Sequence, residues 1–191
     1  MRKRLSVIFV CALLMVVLFS GCSETTNNKE KTQEYFLNNW SFSVLDDWIL
    51  NEEKTEDNEI SFVKNSEDVD KDVKDTLIIR YEKIPEIMKL DTGDGGIKTK
   101  DDVVKKYSYG SISLVNMTFS EWKHSNGFEY CEQYFETEGK LADGSYGNRY
   151  GREIIVPINT TEAYLHAVTI GDEEIDMQSL NAVIETLHQS E

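Results

Sequence analysis

The sequence predicts an α+β domain: an antiparallel sheet of about six to eight strands, packed with helices and closed by a C-terminal helix. Three observations carry this. Short runs such as Trp40-Ser-Phe42-Ser-Val44 alternate apolar and polar residues, the period of a half-buried strand. The longest runs of the second half are separated by Asn126-Gly127, Asp143-Gly144 and Asn159-Thr160, which are hairpin signals. At the C-terminus Met177, Leu180, Val183, Ile184 and Leu187 recur at helical spacing.

The elements follow in order. After Trp40 to Val44, the pair Asp46-Asp47 marks a turn. Trp48 to Leu50 opens a second short strand, and Glu52 to Glu59 is a polar connection. Ile60 to Val63 is a third strand, followed by the charged loop Asn65 to Asp75. Leu77 to Tyr81 reads as a central strand, ended by Pro85, which has no N–H to give a ladder. Asp91 to Gly96 is a glycine-rich loop. Thr99-Lys-Asp-Asp102 has capping-box spacing, with Asp at the last place, and starts a short helix that buries Val103, Val104 and Tyr107. Strands are then predicted over Ser111 to Phe119, Phe128 to Thr137, Tyr150 to Val156 and Ala163 to Ile170. Asp172, Glu173 and Glu174 stand where the N-terminus of the last helix attracts negative charge.

The chain has 191 residues, 40% hydrophobic and 29% charged, which is the composition of a globular protein with one core. Its net charge of -15 argues against nucleic acid as a partner, because phosphate binding wants clustered Lys and Arg. Three cysteines make neither a disulfide framework nor a four-cysteine zinc site.

The N-terminus is an address. Arg2, Lys3 and Arg4 precede the apolar run Leu5 to Phe19, which is shorter than the ~20 residues of a spanning helix and fits the core of a secretory signal. Phe19-Ser20-Gly21-Cys22 then resembles the lipobox of bacterial lipoproteins, with Phe19 where that family usually has Leu. The resemblance implies cleavage before Cys22, a lipidated (palmitate-bearing) Cys22 and anchoring on the extracytoplasmic face of the cell membrane or envelope. Residues 1–21 would be the signal peptide, 22–34 a flexible polar tether and 35–191 a single α+β domain. The signal holds three bases and no acid, so 17 basic and 35 acidic residues would remain, a net of -18. Cys131 would then be the one cysteine left with a free thiol.

Phe42-Ser-Val44-Leu45-Asp46-Asp47-Trp48 is similar to the opening of PsbP-like proteins, with Leu45 where those often have proline. The strands at Ile60 and Leu77, the Thr99 helix and the Leu180 to Leu187 helix follow in that family's order. The resemblance spans most of residues 36–190. It implies an α/β/α sandwich and a binding or assembly module, and it names no catalytic residue.

Signatures of chemistry are sparse. The sequence has no H-E-x-x-H, G-x-S-x-G, Walker loop or C-x-x-C. Gly93-Asp-Gly95-Gly96 starts like a dinucleotide loop, but Lys98 takes the last glycine's place. Two segments place carboxylates as a calcium loop would. Asp68, Asp70 and Asp72 alternate, but Val73 is at position six and Ile79 at position twelve. Asp91 and Asp102 stand at positions one and twelve around Gly96, but Gly93 and Gly95 leave positions three and five without oxygen ligands. Cys131 with His124, His166 or His188 would be needed for a thiol nucleophile, yet a lone strand cysteine is more often a small buried hydrophobe. Tyr146 and Tyr150 flank glycines 144, 147 and 151 and are candidates for a recognition patch, against ordinary sheet packing.

The sequence therefore points to a non-catalytic binding or assembly lipoprotein of the cell envelope. Its partners would be the bilayer, through Cys22, and an envelope protein. No cofactor is expected, with calcium the one ion considered. The alternative is a carrier for a small ligand or cation such as calcium.

Overall fold

The structure, a computed structural model, describes residues 31–65, 75–90, 96–108, 116–173 and 177–190, with backbone alone for 116–120. Cys22, Asp68, Asp70, Asp72 and Asp91 lie outside the described residues, as do the signal segment and the tether up to residue 30.

Among the described residues ten strands form two antiparallel sheets. The small sheet joins β1 (Thr32–Leu37), β2 (Trp40–Leu45) and the two-residue β10 (His188–Gln189) in the order β1-β2-β10. The large sheet has seven strands: β3 (Trp48–Leu50), β4 (Glu59–Lys64), β5 (Thr76–Lys83), β6 (Asn116–Ser125), β7 (Phe128–Lys140), β8 (Tyr146–Ile158) and β9 (Ala163–Gly171). Their order is β3-β4-β5-β9-β8-β7-β6. Among the described residues three α-helices accompany them, α1 (Glu86–Leu90), α2 (Lys100–Tyr107) and α3 (Gln178–Thr186), with a 3-10 turn at Glu52–Lys54. This is the expected α+β class.

The turns explain the pairing. Asn126 (φ 47°) and Gly127 (φ 84°) are both left-handed, the geometry whose twist matches a two-residue hairpin, and they join β6 to β7. Asn38 (φ 56°) does the same work between β1 and β2. Pro157 stands within β8, but β7 pairs with β8 only as far as Ile155. A proline there costs no ladder bond to β7.

The two faces of the large sheet bury different things. On one face Ile60, Phe62, Leu77, Ile79, Ile154, Val156, Leu165 and Ala167 meet Trp40, Phe42 and Val44 of β2 and Leu180, Val183 and Ile184 of α3. The Trp48 indole donates to Ser179 Oγ at 2.8 Å and ties β3 to α3. The other face carries Ile155, Tyr164 and Cys131 beneath Val103 and Val104 of α2. Further along it lies a second apolar group, Phe135, Val168 and Ile170. Every residue of β9 is buried, as befits a strand covered on both faces.

Some elements differ from expectation. β1 begins at Thr32, so Thr32-Gln-Glu34, read as tether, pairs with Leu45, Val44 and Ser43. A polar sequence forms this strand because its backbone finds partners on β2. The strand placed over Ser111 to Phe119 is seen from Asn116 and runs to Ser125 through a bulge between Phe119 and Trp122. The short α1 had no readable period. Asp172 does not flank α3: its carboxylate accepts from Ala142 N at 2.5 Å and faces Arg149 Nε at 3.3 Å.

Candidate functional site

The sheet register assembles a polar seam that no linear motif announces. On the face carrying α2, Glu59 of β4 is opposite Arg80 of β5, and Arg80 is opposite His166 of β9. On the neighbouring strands Glu153 of β8 is opposite Gln133 of β7. Because alternate residues share a face, these side chains lie on one face in two adjacent rows: Glu59, Arg80 and His166 are in register with Ile155, and Gln133 and Glu153 with Val168, the two rows joined by the His166–Glu153 contact.

An Arg80-centred ion-pair group and a buried His166–Glu153 contact make up the seam. Arg80 Nε donates to Glu59 Oε2 at 2.7 Å and lies 3.4 Å from Glu82 Oε1. Burial alone would lower the Arg80 pKa, but the hydrogen bond and charge of Glu59, with the charge of Glu82, outweigh it and raise it. Tyr164 donates to Glu82 Oε2 at 2.9 Å and stacks on Tyr107 of α2 with centroids 4.2 Å apart. Burial, then the bond to Glu82, pushes the Tyr164 phenol far above its ordinary range, so it is fixed as a donor. Deeper in, His166 Nε2 meets Glu153 Oε2 at 2.5 Å, with both residues buried. Gln133 is buried as well, and neither atom of its amide has a hydrogen-bond partner among the described residues.

The sulfur and imidazole candidates are not brought together among the described residues. Cys131 and His166 share a face, but each is opposite Ile155, on either side of β8. Two strand spacings separate them, about 10 Å, beyond the reach of proton transfer. Cys131 is buried against the α2 group. His124 faces Glu129 at 3.4 Å on the β6–β7 hairpin, and His188 is exposed in β10.

The other sequence candidates divide. Asp102 caps α2: its Oδ2 accepts from Lys98 N at 2.9 Å and Thr99 N at 2.8 Å, while Thr99 Oγ1 accepts from Asp102 N. Those bonds hold its pKa below the usual carboxylate value. Among the described residues no group of three or more His, Cys, Asp or Glu is disposed to hold a metal ion. Tyr146 and Tyr150 share a face of β8, with Tyr146 84% exposed and Tyr150 half-buried. The seam was missed because Glu59, Arg80, Gln133, Glu153 and His166 stand on five different strands and form no linear motif. The signal available was a lone polar residue, His166, in the apolar strand β9.

No family model matches the chain, and no curated protein matches it in sequence. Solved structures do resemble it. LpqN of Mycobacterium tuberculosis, described as involved in cell envelope biogenesis, is 14% identical, with a TM-score of 0.52 over 84% of this chain and 91% of LpqN. A point mutant of Mog1 is 8% identical, with a TM-score of 0.52 over 84% of this chain and 97% of Mog1. The PsbP of the cyanobacterium Synechocystis is 15% identical, with a TM-score of 0.47 over 87% of this chain and 97% of PsbP. The likeness to LpqN and Mog1 shows a shared fold.

Proposed function

We propose that this protein is a lipoprotein anchored through Cys22 on the extracytoplasmic face of the cell membrane or envelope, where its domain binds or assembles another envelope component without catalysis. The observation that carries the reading is Phe19-Ser20-Gly21-Cys22 behind a basic and then apolar segment. Two further points support it. The fold is shared with LpqN, a protein described as involved in cell envelope biogenesis. The seam has hydrogen-bonding groups but no nucleophile beside a base. Domain boundaries follow the same reading: a signal of residues 1–21, a tether from Cys22, and the domain from Lys31 onward.

The test has two parts. Labelled palmitate should enter the protein in cells and be lost in Cys22→Ala. Cross-linking of the anchored protein should capture a reproducible envelope neighbour. Label that persists in Cys22→Ala overturns the anchor, and the absence of any neighbour overturns the assembly role.

One observation favours the alternative of a small-ligand carrier: the buried Gln133 amide, both ends of which are unpartnered among the described residues. Such a group costs about 1–3 kcal/mol unless something pairs with it. Native mass spectrometry of the protein purified from its own cells would show a bound small molecule, and a bare mass would remove this reading.

A further inference from the structure

β1 forms an edge of the small sheet, and its register on β2 fixes which of its backbone groups are already paired. Asp46 N donates to Lys31 O, so Lys31 and Asp46 are a hydrogen-bonded pair. Such pairs alternate along an antiparallel ladder. Gln33, Tyr35 and Leu37 therefore bond to Val44, Phe42 and Trp40, while Thr32, Glu34 and Phe36 stand opposite Leu45, Ser43 and Ser41 without bonding to them. The N–H and C=O of Thr32, Glu34 and Phe36 point away from β2. The far side of β2 keeps the same alternation: Ser43, opposite Glu34, donates its own N–H to Thr186 Oγ1 at 2.7 Å.

The other sheet edges are blunted among the described residues. β3 has three residues and β10 has two. β6 is interrupted by the bulge between Phe119 and Trp122 and carries Lys123. Short strands, bulges and lysines are the usual guards of an edge. β1 has six residues in unbroken register, with no proline or lysine among them. Its edge is about 20 Å long at the usual strand rise.

The side chains along that edge add a pattern. Thr32, Glu34 and Phe36 share the outward face of the small sheet, while Tyr35 and Leu37 pack into the core. Glu34 is exposed, and Phe36 is 65% exposed. Their cross-strand neighbours on β2 are only the serines Ser43 and Ser41. A strand laid on the other side would set one residue directly opposite each of them.

We infer that β1 receives an extended peptide segment of a partner protein as a further antiparallel strand of the small sheet. Another extended backbone is the group that matches N–H and C=O at alternate residues. Read from N to C, the segment carries an apolar residue opposite Phe36 and, two residues later, Lys or Arg opposite Glu34. A second copy of β1 is a poor occupant. The register that pairs the whole strand with itself sets Glu34 against the same glutamate of the other copy, and each chain has a net charge of -15. The inference deepens the proposed binding role and rests on it.

The test uses the full isotope-labelled chain in detergent micelles and the end-blocked hexapeptide Thr-Val-Thr-Lys-Thr-Thr. Amide hydrogen exchange is followed residue by residue by NMR. The peptide is expected to slow exchange at Thr32, Glu34 and Phe36 by about tenfold or more and to leave the amides of β6 unchanged. The same peptide with Glu in place of Lys should protect the parent less and Glu34→Lys more. Glu34→Pro removes an outward N–H and no bond to β2, so it should lose the protection and keep the parent's melting temperature. If that variant does not fold, the charge swap decides alone. Protection elsewhere or nowhere, indifference to the charge swap, or protection retained in folded Glu34→Pro overturns the inference. So does protection that grows with protein concentration in the absence of peptide, which would make a second copy the occupant. The peptide is supplied in solution, so failure of the wider binding role shows separately, as envelope cross-linking that captures no neighbour.

Discussion

The ring of Phe135 lies across Gly151, its cross-strand partner, so closely that a Cβ on the glycine would stand 2.1 Å from the ring's Cζ. Phe135 is fully buried, so the ring has little room to retreat. Gly151→Ala should cost about 1–3 kcal/mol, the range for overpacking a core. Phe135→Ala should cost about 3–5 kcal/mol. In the Phe135→Ala background the added methyl has space, so Gly151→Ala should then cost close to nothing. Urea midpoints of the four proteins check this, and additive losses would show that the glycine is needed for something other than the ring.

The buried His166–Glu153 contact makes a second cycle. Removing one partner of a buried hydrogen bond leaves the other polar group unsatisfied, at about 1–3 kcal/mol. Glu153→Ala should show a loss of that size in chemical denaturation. The joint replacement Glu153→Leu with His166→Phe should recover much of it, because apolar side chains suit the Ile155 and Val168 groups on either side. A double variant as unstable as the single one would mean that the seam is required for folding and is not merely tolerated.

Acid should remove the cap on α2. The Asp102 carboxylate accepts three hydrogen bonds at 2.8 to 2.9 Å, from Lys98 N, Thr99 N and Thr99 Oγ1, and its pKa in the folded state is lowered by them. A group with a depressed folded-state pKa stabilises above its unfolded value, about 4 for aspartate, and loses that contribution as pH falls through the folded value. Asp102→Asn should therefore melt lower than the parent at neutral pH. The gap between the two melting curves should close as pH falls through the carboxylate range. A gap constant from neutral to acid pH would assign the difference to something other than the charge.

The elements legible in the sequence were those whose signal is local. Thr99 and Asp102 announce a helix start because capping is settled within four residues. Asn126-Gly127 announces a hairpin because both positions need positive φ. Thr32 to Glu34 gave no such signal: their strand exists because β2 offers partners. The seam was illegible for the same reason. Arg80 meets Glu59 across 21 residues and Tyr164 meets Glu82 across 82, so only the register brings them together. The Cys22 reading differs in kind, since a peptidase and an acyl transferase would read the residues before any fold exists.

The β8–β9 turn stores strain that a substitution should release. Asn159 and Thr160 both have positive φ, at 46° and 67°. Asparagine tolerates that region through local hydrogen bonding, and Asn159 Nδ2 donates to Glu162 Oε2 at 3.0 Å. Threonine is β-branched, and its Cβ substituents crowd the backbone there, at a cost on the order of 1–3 kcal/mol. Glycine removes the clash but adds freedom to the unfolded chain, which offsets roughly 0.5–1 kcal/mol. Thr160→Gly should therefore raise stability by about 1 kcal/mol, read as a higher urea midpoint with an unchanged slope. Thr160→Ala keeps a Cβ but loses the branch, so it should fall between glycine and the parent. If glycine lowers the midpoint instead, the threonine side chain stabilises the turn and the positive φ carries no strain.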